Sequence, residues 1–188
     1  LATSTDLIHW ERKGLIVPKI HFKDFILNSD INEKSYPKYT RFNDPNRHYE
    51  NLSEDLYMWI KNIFFFPRRI KNKLCFLIRI KPDIQIVNSI DSIEDLTPEF
   101  WESYFKSFSE KIVLAPKHDH EINYIGGGCP PIETKDGWLL IYHGVHDTIN
   151  GYVYSACAAL LDLDNPQKEI ARLPYPLFFP EKEWELKG

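Results

Sequence analysis

The residues with the clearest chemical potential surround a glycine- and proline-rich loop in the second half of the chain. Glu121 ends a His-Asp-His-Glu run, and a carboxylate at that point could act as a general base toward water. An exposed loop glutamate is the structural alternative. His118, Asp119 and His120 are consecutive, and three adjacent side chains rarely converge on one metal ion without distant ligands. We therefore predict no metal site and retain Glu121 as a candidate catalytic base.

Tyr142 and His143 end an apolar strand that follows the loop. Because neighbouring residues of a strand point to opposite faces, one of the two is expected to pack while the other faces a pocket. A core histidine satisfied by backbone groups is the alternative for His143. The loop itself, Gly126–Gly128 followed by Pro130-Pro131, can bring backbone close to a ligand and then hold the strand entry extended.

Composition favours a folded domain and disfavours several functions. With 43% hydrophobic and 14% aromatic residues, the 188-residue chain can build a sizeable core, and one domain over residues 1–188 is expected. A net charge of −4 with scattered Lys and Arg gives no basic surface for nucleic acid. No apolar run reaches the ~18 residues of a membrane span, so no membrane role is expected. Cys75, Cys129 and Cys157 lack CxxC spacing and are odd in number, which predicts neither a zinc site nor a disulfide framework.

The ends of the chain leave its compartment open. It begins at Leu1, without Met and inside an apparent strand, and no signal peptide is visible. We expect a piece of a longer protein that is cytoplasmic or periplasmic.

The elements that must position these residues are predicted to be β-hairpins. Lys73–Ile80 and Asp83–Ser89 form one pair of β-rich runs, and Asp136–Val145 and Gly151–Leu163 form another. WLLIYHG is apolar on both faces, which indicates sheets covered on both sides, as in a propeller or a sandwich. A loose repeat of strand and acidic loop at roughly 70 to 85 residues favours a propeller with insertions.

Two segments interrupt this pattern. Residues 22–55 are polar and lack a clear period, which predicts a long insertion or loop. Residues 97–111 begin with Thr-Pro and carry aromatic residues at helical spacing, which predicts a short amphipathic helix with those aromatics packed inward.

Four ordered blocks of sequence carry a family signature. They are ATSTDLIHWE, KNIFFFPRRIKNKLCFLIR with PDIQI, IGGGCPPIETKDGWLLIYHGV, and AALLDLDNPQKEIARLPYPLFFPEKEWE. Together they resemble glycoside hydrolase family 130, the β-mannoside phosphorylases and β-mannosidases, over most of the chain outside residues 22–55. The resemblance implies an all-β fold, a five-bladed β-propeller of which this chain covers roughly half the ring. It also implies that the proton-donating Asp precedes Leu1.

The resemblance assigns a phosphate site to the second block. Lys61 stands where the family places a phosphate-binding lysine, and Asn62 stands where Asp is common. Arg68 stands where some members carry Glu. By itself, a lone lysine before an apolar strand is usually solvated surface.

Further substrate- or phosphate-binding candidates implied by the resemblance are Arg79, Asp83, Tyr142, His143 and Asp147. Arg79 could contact a sugar hydroxyl or a carboxylate, and a structural ion pair is the alternative. Ile78 stands where phosphorylases commonly have His, so a phosphate contact is missing at that position.

These features favour an inverting enzyme that cleaves β-mannosides, with hydrolysis slightly ahead of phosphorolysis. Ile78 and Glu121 favour hydrolysis, whereas Lys61 favours phosphorolysis. The alternatives are a β-1,4-mannosyl-oligosaccharide phosphorylase that releases mannose 1-phosphate, and a non-catalytic glycan-binding propeller. We expect a mannose-containing oligosaccharide as partner, inorganic phosphate as co-substrate of a phosphorylase and no other cofactor. A homo-oligomer is possible, and the 188-residue piece alone is expected to be inactive.

Overall fold

The described part of the chain, residues 1–32, 34–44, 57–149 and 151–186 of a computed structural model, is built mainly from antiparallel strands. In chain order the strands are β1 (Ala2–Thr3), β2 (Glu11–Arg12), β3 (Lys61–Phe65), β4 (Leu74–Ile80), β5 (Asp83–Ile90), β6 (Ile112–Leu114), β7 (Tyr124–Gly127), β8 (Ile132–Thr134), β9 (Gly137–Thr148), β10 (Gly151–Leu161) and β11 (Glu169–Arg172). The α-helices are α1 (Phe22–Asn28), α2 (Pro37–Asn43), α3 (Pro98–Lys106) and α4 (Glu183–Leu186). No helix among these residues has the length and apolar character needed to cross a membrane.

The strands form two larger sheets and one short hairpin. The first sheet has the order β3-β4-β5-β6, so each strand pairs with its neighbour in sequence. The second has the order β11-β10-β9-β7, and β8 pairs with the same edge of β9 as β7 does. β7 and β8 therefore act as one edge strand that is interrupted by the Gly-Cys-Pro-Pro loop, while β1 pairs only with β2.

The two sheets pack on each other through a shared apolar core. Leu77 and Ile84 of the first sheet lie in one cluster with Trp138, Leu140 and Tyr142 of the second. Trp138 also donates from its indole nitrogen to the carbonyl of Leu163, 3.0 Å away, so its polar atom is satisfied inside the core.

A second core covers the other face of the first sheet. Phe76, Ile78 and Ile80 of β4 contact side chains from three helices there, and the helical members include Phe25, Tyr39, Trp101 and Phe105. Because both faces of β4 are covered, its sequence is apolar at nearly every position.

The predicted helix after residue 97 is confirmed. Thr97 is the N-cap, its hydroxyl accepts from the backbone nitrogen of Phe100 at 3.3 Å, and Pro98 occupies the first turn. Trp101, Tyr104 and Phe105 are buried, as expected for packing aromatics.

The predicted all-β architecture is confirmed for the sheets. The described strands do not form a closed ring, so the five-bladed propeller stays a prediction. The segment 22–55, which showed no clear period in the sequence, carries α1 and α2, and its residues 33 and 45–55 lie outside the described part of the chain.

Candidate active site

Four basic side chains from both sheets come together where the sheets meet. Lys61 on β3 pairs with Arg79 on β4 in the sheet register. Arg79 Nη1 lies 3.4 Å from Nε2 of His143 on β9. Lys81 Nζ and the Arg79 guanidinium lie over one ring, that of Tyr124, at 3.9 and 5.6 Å from its centroid. We call Lys61, Arg79, Lys81 and His143 the cationic cluster.

The pKa values of this cluster reflect burial and mutual repulsion. Burial, followed by the charges of Arg79 and Lys61, lowers the pKa of Lys81 from 10.5 to about 8. Burial and the charges of Arg79 and Lys81 lower the pKa of His143 to about 4, so its imidazole is neutral at pH 7. Among the described residues, no carboxylate lies within ion-pair distance of any member. Within the described part of the chain the positive charge of the cluster is therefore uncompensated, which fits an anion.

The contact with Arg79 also fixes the tautomer of His143. A guanidinium has only donors, so the Nε2 atom of His143 must accept when it bonds to Arg79. In the neutral ring the proton then lies on Nδ1, which leaves one donor on the side of the ring away from Arg79.

Gly126 and Gly127 of β7 lie where side chains of other strands approach the backbone closely. A Cβ on Gly126 would lie 2.7 Å from the His143 ring and 3.0 Å from Arg79 Cδ. A Cβ on Gly127 would lie 2.8 Å from the Phe64 ring. Gly126 thus makes room for the contact within the cationic cluster, whereas Gly127 makes room for packing between the sheets.

Asn62 connects the edge strands of the two sheets beside Lys61. It lies in a bulge of β3 with φ of 54°, and its Nδ2 donates to the Gly127 carbonyl at 3.1 Å. Its Oδ1 is buried and has no partner among the described residues. A free amide acceptor next to Lys61 suits a hydroxyl of a sugar or of a phosphate.

Aromatic rings form a wall along the cationic cluster. The hydroxyls of Tyr124 and Tyr154 are 2.6 Å apart, and the rings of His143 and Tyr154 are 5.6 Å apart. Phe42 of α2 lies edge-on to Tyr124, with 5.6 Å between centroids. We call Phe42, Tyr124 and Tyr154 the aromatic wall.

Asp83 lies two residues after Lys81 but is turned into the protein. It is 4% exposed, and its Oδ2 accepts from the Tyr39 hydroxyl at 2.8 Å. Burial raises the pKa of Asp83 to about 6, against the lowering effect of the Tyr39 hydrogen bond and of Lys38. The Asp83 side chain is turned towards Tyr39, and the contact between Asp83 and substrate stays a prediction.

Glu121 is buried on the other face of β9 from His143. It is 0% exposed, and its carboxylate accepts hydrogen bonds from the Tyr142 hydroxyl and the backbone of Lys117, with Arg172 Nη1 3.2 Å away. Burial alone would raise the pKa of Glu121, but the bonds from Tyr142 and Lys117 and the charge of Arg172 lower it. Glu121 is therefore not an exposed loop residue, and its carboxylate is closed to solvent.

Tyr142 and His143 follow the predicted alternation. Tyr142 packs in the core between the sheets, where its hydroxyl donates to Glu121. His143 belongs to the cationic cluster. The expected alternation and the packing of Tyr142 are confirmed, and the contact of His143 with a ligand stays a prediction.

Three residues behind this strand have potential metal ligands close together. His120, Glu121 and Cys157 have ligand atoms within 4.8 Å of one another. This set does not fit a divalent cation well, because Arg172 already neutralises Glu121 and burial raises the pKa of the Cys157 thiol to about 11.

Arg68 and Asp147 lie apart from the cluster. Arg68 forms an exposed ion pair with Glu133, 2.7 Å long, and lies over Trp138. Trp138 precedes His143 by five residues on β9, which places it about 17 Å away along the strand. Asp147 is exposed near the end of β9 and faces Arg41 at 3.8 Å.

The sequence analysis interpreted Ile78 as the loss of a phosphate contact, but residue 78 does not face the cationic cluster. Ile78 is 1% exposed and packs in the outer core, on the opposite face of β4 from Arg79. A histidine there would point away from the cationic cluster. The identity of residue 78 therefore gives no support to hydrolysis.

Lys81 and Tyr124 are the site residues that sequence reasoning missed. Lys81 precedes Pro82 in a turn, where a lysine is usually solvated. Lys81 follows Arg79 by two residues, so strand alternation could have placed the two on one side. The contacts with Tyr124 and His143 come from distant β7 and β9, and no local pattern contains them.

Comparison with protein families gives one match over most of the chain. The model of glycoside hydrolase family 130, described as beta-1,4-mannooligosaccharide phosphorylase, matches residues 28–188.

Curated relatives agree with that match. A 1,2-beta-oligomannan phosphorylase from Thermoanaerobacter sp. is 34% identical over 189 residues, which cover 100% of this chain and 46% of the relative. A beta-1,4-mannooligosaccharide phosphorylase from Ruminococcus albus is 35% identical over 130 residues, or 68% of this chain and 37% of the relative. The chain spans less than half the length of the curated relatives it matches.

Solved structures share the fold. Beta-1,2-mannobiose phosphorylase from Listeria innocua, in complex with beta-1,2-mannobiose, is 28% identical with a TM-score of 0.52, and the match covers 74% of this chain and 38% of that one. A structure from the same family, described with glycoside hydrolases that target beta-1,2 mannosidic linkages in Candida mannan, is 21% identical with a TM-score of 0.51. That match covers 76% of this chain and 42% of the other, and at this identity it shows the fold alone.

Proposed function

This chain belongs to glycoside hydrolase family 130, and on that premise we propose that the protein containing it cleaves β-mannosides by phosphorolysis. The reaction transfers the mannosyl group to inorganic phosphate and releases mannose 1-phosphate. Phosphorolysis thus replaces hydrolysis, the reaction that the sequence slightly favoured.

The observation that carries this proposal is the cationic cluster. Lys61, Arg79, Lys81 and His143 lie together without a carboxylate partner among the described residues. Hydrolysis by inversion needs a carboxylate that activates water, whereas phosphorolysis needs cationic and hydrogen-bonding groups for phosphate. Glu121, the sequence-predicted base, is held by Arg172 and Tyr142 away from this cluster.

Each member of the cluster has a distinct role toward phosphate. Arg79 presents a guanidinium whose planar fork matches two phosphate oxygens, and Lys81 and Lys61 supply point charges. Neutral His143 can donate a hydrogen bond from Nδ1 to a phosphate oxygen.

The chemical step is a single displacement. A phosphate oxygen forms a bond to the anomeric carbon as the bond from that carbon to the leaving sugar oxygen breaks, and a carboxylic acid gives its proton to that oxygen. We propose that this acid belongs to another part of the protein, and that the residues of this chain bind and orient the attacking phosphate. Direct attack inverts the anomeric configuration.

The substrate class follows from the curated relatives. They include phosphorylases named for β-1,2- and for β-1,4-linked mannosides. We therefore assign a mannose-containing oligosaccharide as substrate and inorganic phosphate as co-substrate, and the linkage is left to experiment.

The test is product identification with and without phosphate. The protein containing this chain is incubated with β-1,2- and β-1,4-mannobiose, and the products are separated and identified by NMR. We expect mannose 1-phosphate and mannose with phosphate present, and no turnover without it. Equal release of free mannose in both conditions would show hydrolysis, and binding of mannobiose without any turnover would show a non-catalytic glycan-binding protein.

A further inference from the structure

Helix α2, in the insertion of residues 22–55, contacts the turn that carries Lys81. Asn43 ends this helix, and its Nδ2 donates to the Lys81 carbonyl at 2.7 Å and to the Tyr39 carbonyl at 2.9 Å. One side-chain amide therefore ties the end of α2 to the backbone of a cluster residue.

A second anchor fixes α2 on the other side of the same turn. Tyr39 is 1% exposed, donates to Asp83 at 2.8 Å and accepts from Gln85 Nε2 at 3.0 Å. Gln85 in turn bonds both the backbone nitrogen and the carbonyl of Ile80, at 2.8 and 3.0 Å. The residues before and after Lys81 are thus both held by a network that includes α2.

The third contact of α2 is between the Phe42 ring and the ammonium group of Lys81. Lys81 Nζ lies 3.9 Å from the centroid of Tyr124 and 5.9 Å from that of Phe42, the residue before Asn43. Ring faces attract a cation, and this attraction opposes the repulsion that Arg79 and Lys61 exert on Lys81. A free lysine in this position would move away from the other charges.

We propose that α2 completes the phosphate site, and that Asn43 is the positioning residue that holds Lys81 within it. This inference rests on the proposed function. It assigns a role in the reaction to a segment outside the four sequence blocks that resemble the family. Asn43 acts through the Lys81 backbone and does not itself touch phosphate.

The test compares Asn43→Ala with Asn28→Ala in the protein containing this chain. Asn28 ends α1 and its Nδ2 donates to the carbonyl of Asp24 at 2.8 Å, four residues earlier, as Asn43 does to Tyr39. Both variants lose a helix-end hydrogen bond, but only Asn43→Ala loses the bond to Lys81. The readouts are the KM for phosphate, the KM for mannobiose and the unfolding temperature.

We expect Asn43→Ala to raise the KM for phosphate about fivefold or more, with the KM for mannobiose within about twofold of wild type. Asn28→Ala should leave both constants unchanged. Equal phosphate constants for the two variants, in a wild-type protein that uses phosphate, would overturn the role of Asn43 alone. A parallel rise of both KM values in Asn43→Ala with a lower unfolding temperature would show a merely structural bond. A wild-type reaction independent of phosphate would overturn the proposed function, and this inference with it.

Discussion

At the level of single residues, Lys81 is the side chain that most clearly departs from ordinary surface chemistry. It is pressed against Tyr124, close to Arg79 and Lys61, and its pKa falls to about 8. Lys81 is easily deprotonated and has no carboxylate partner in the part of the chain that the structure describes. Such a lysine gains from an anion, because the anion restores the lost solvation of its charge.

Replacing Lys81 by Arg should change the pH dependence of phosphate use. A lysine is charged below its pKa, so kcat/KM for phosphate should decline above pH 8 in wild type as Lys81 loses its proton. Arg stays charged beyond pH 12, so Lys81→Arg should remove this decline. Steady-state rates from pH 6 to pH 10 measure it, with Lys73→Arg as the control, since Lys73 is paired with Asp91 at the surface. An identical decline in both variants would show that another group titrates.

Replacing Glu121 by Gln separates a structural role from a catalytic one. We expect a loss of about 3 kcal/mol in the free energy of unfolding, because Arg172 would lose a fully buried charge partner. Urea denaturation measures the loss. Glu169→Gln is the matched control: Glu169 bonds the same Arg172 at 2.7 Å but its side chain is 25% exposed, so its loss should be below about 1 kcal/mol. Unchanged stability of Glu121→Gln together with lost turnover would restore Glu121 as a base.

At the level of elements, the site depends on two edge strands, of which β7 contributes glycines where side chains of the other strands approach it. β3 carries Lys61, and β7 contributes the glycines that His143 and Phe64 approach. The Asn62 amide bridges the two strands, so displacement of either strand would move the charges apart.

Neighbouring glycines of β7 should give different defects when replaced by Ala. Gly126→Ala should raise the KM for phosphate at least about fivefold, because a Cβ would push the His143 ring away from Arg79. Gly127→Ala should mainly lower the unfolding temperature, because its Cβ would meet the packed Phe64 ring. Kinetics and thermal unfolding of the two variants provide the comparison. A phosphate defect confined to Gly127→Ala would contradict the assignment of Gly126 to the site.

Local patterns in the sequence predicted the strands and helix α3 well, but they predicted the partners of the charged side chains poorly. Apolar alternation and Gly and Pro positions predicted the hairpins, the Thr97 cap predicted α3, and alternation placed Tyr142 and His143 on opposite faces. The same alternation applied to Ile78 and Arg79 would have placed their side chains on opposite faces of β4. The pairing of Glu121 with Arg172 joins residues 51 positions apart, and no local pattern contains such a contact.

At the level of the whole molecule, two packed sheets place the cationic cluster where their edge strands meet. That arrangement agrees with neighbouring blades of a propeller that face a common axis, which stays a prediction for the closed ring. The chain spans less than half the length of its curated relatives, so the proposed reaction is that of the protein containing it.

The central claim, that this cluster binds the attacking phosphate, is tested most directly by the KM for phosphate after a charge is removed. Initial rates with mannobiose are measured over a range of phosphate concentrations for wild type, for Lys81→Gln and for the surface control Lys73→Gln. The account predicts a phosphate KM at least about tenfold higher in Lys81→Gln, with the mannobiose KM nearly unchanged and Lys73→Gln like wild type. A phosphate KM in Lys81→Gln equal to that of the control would contradict it.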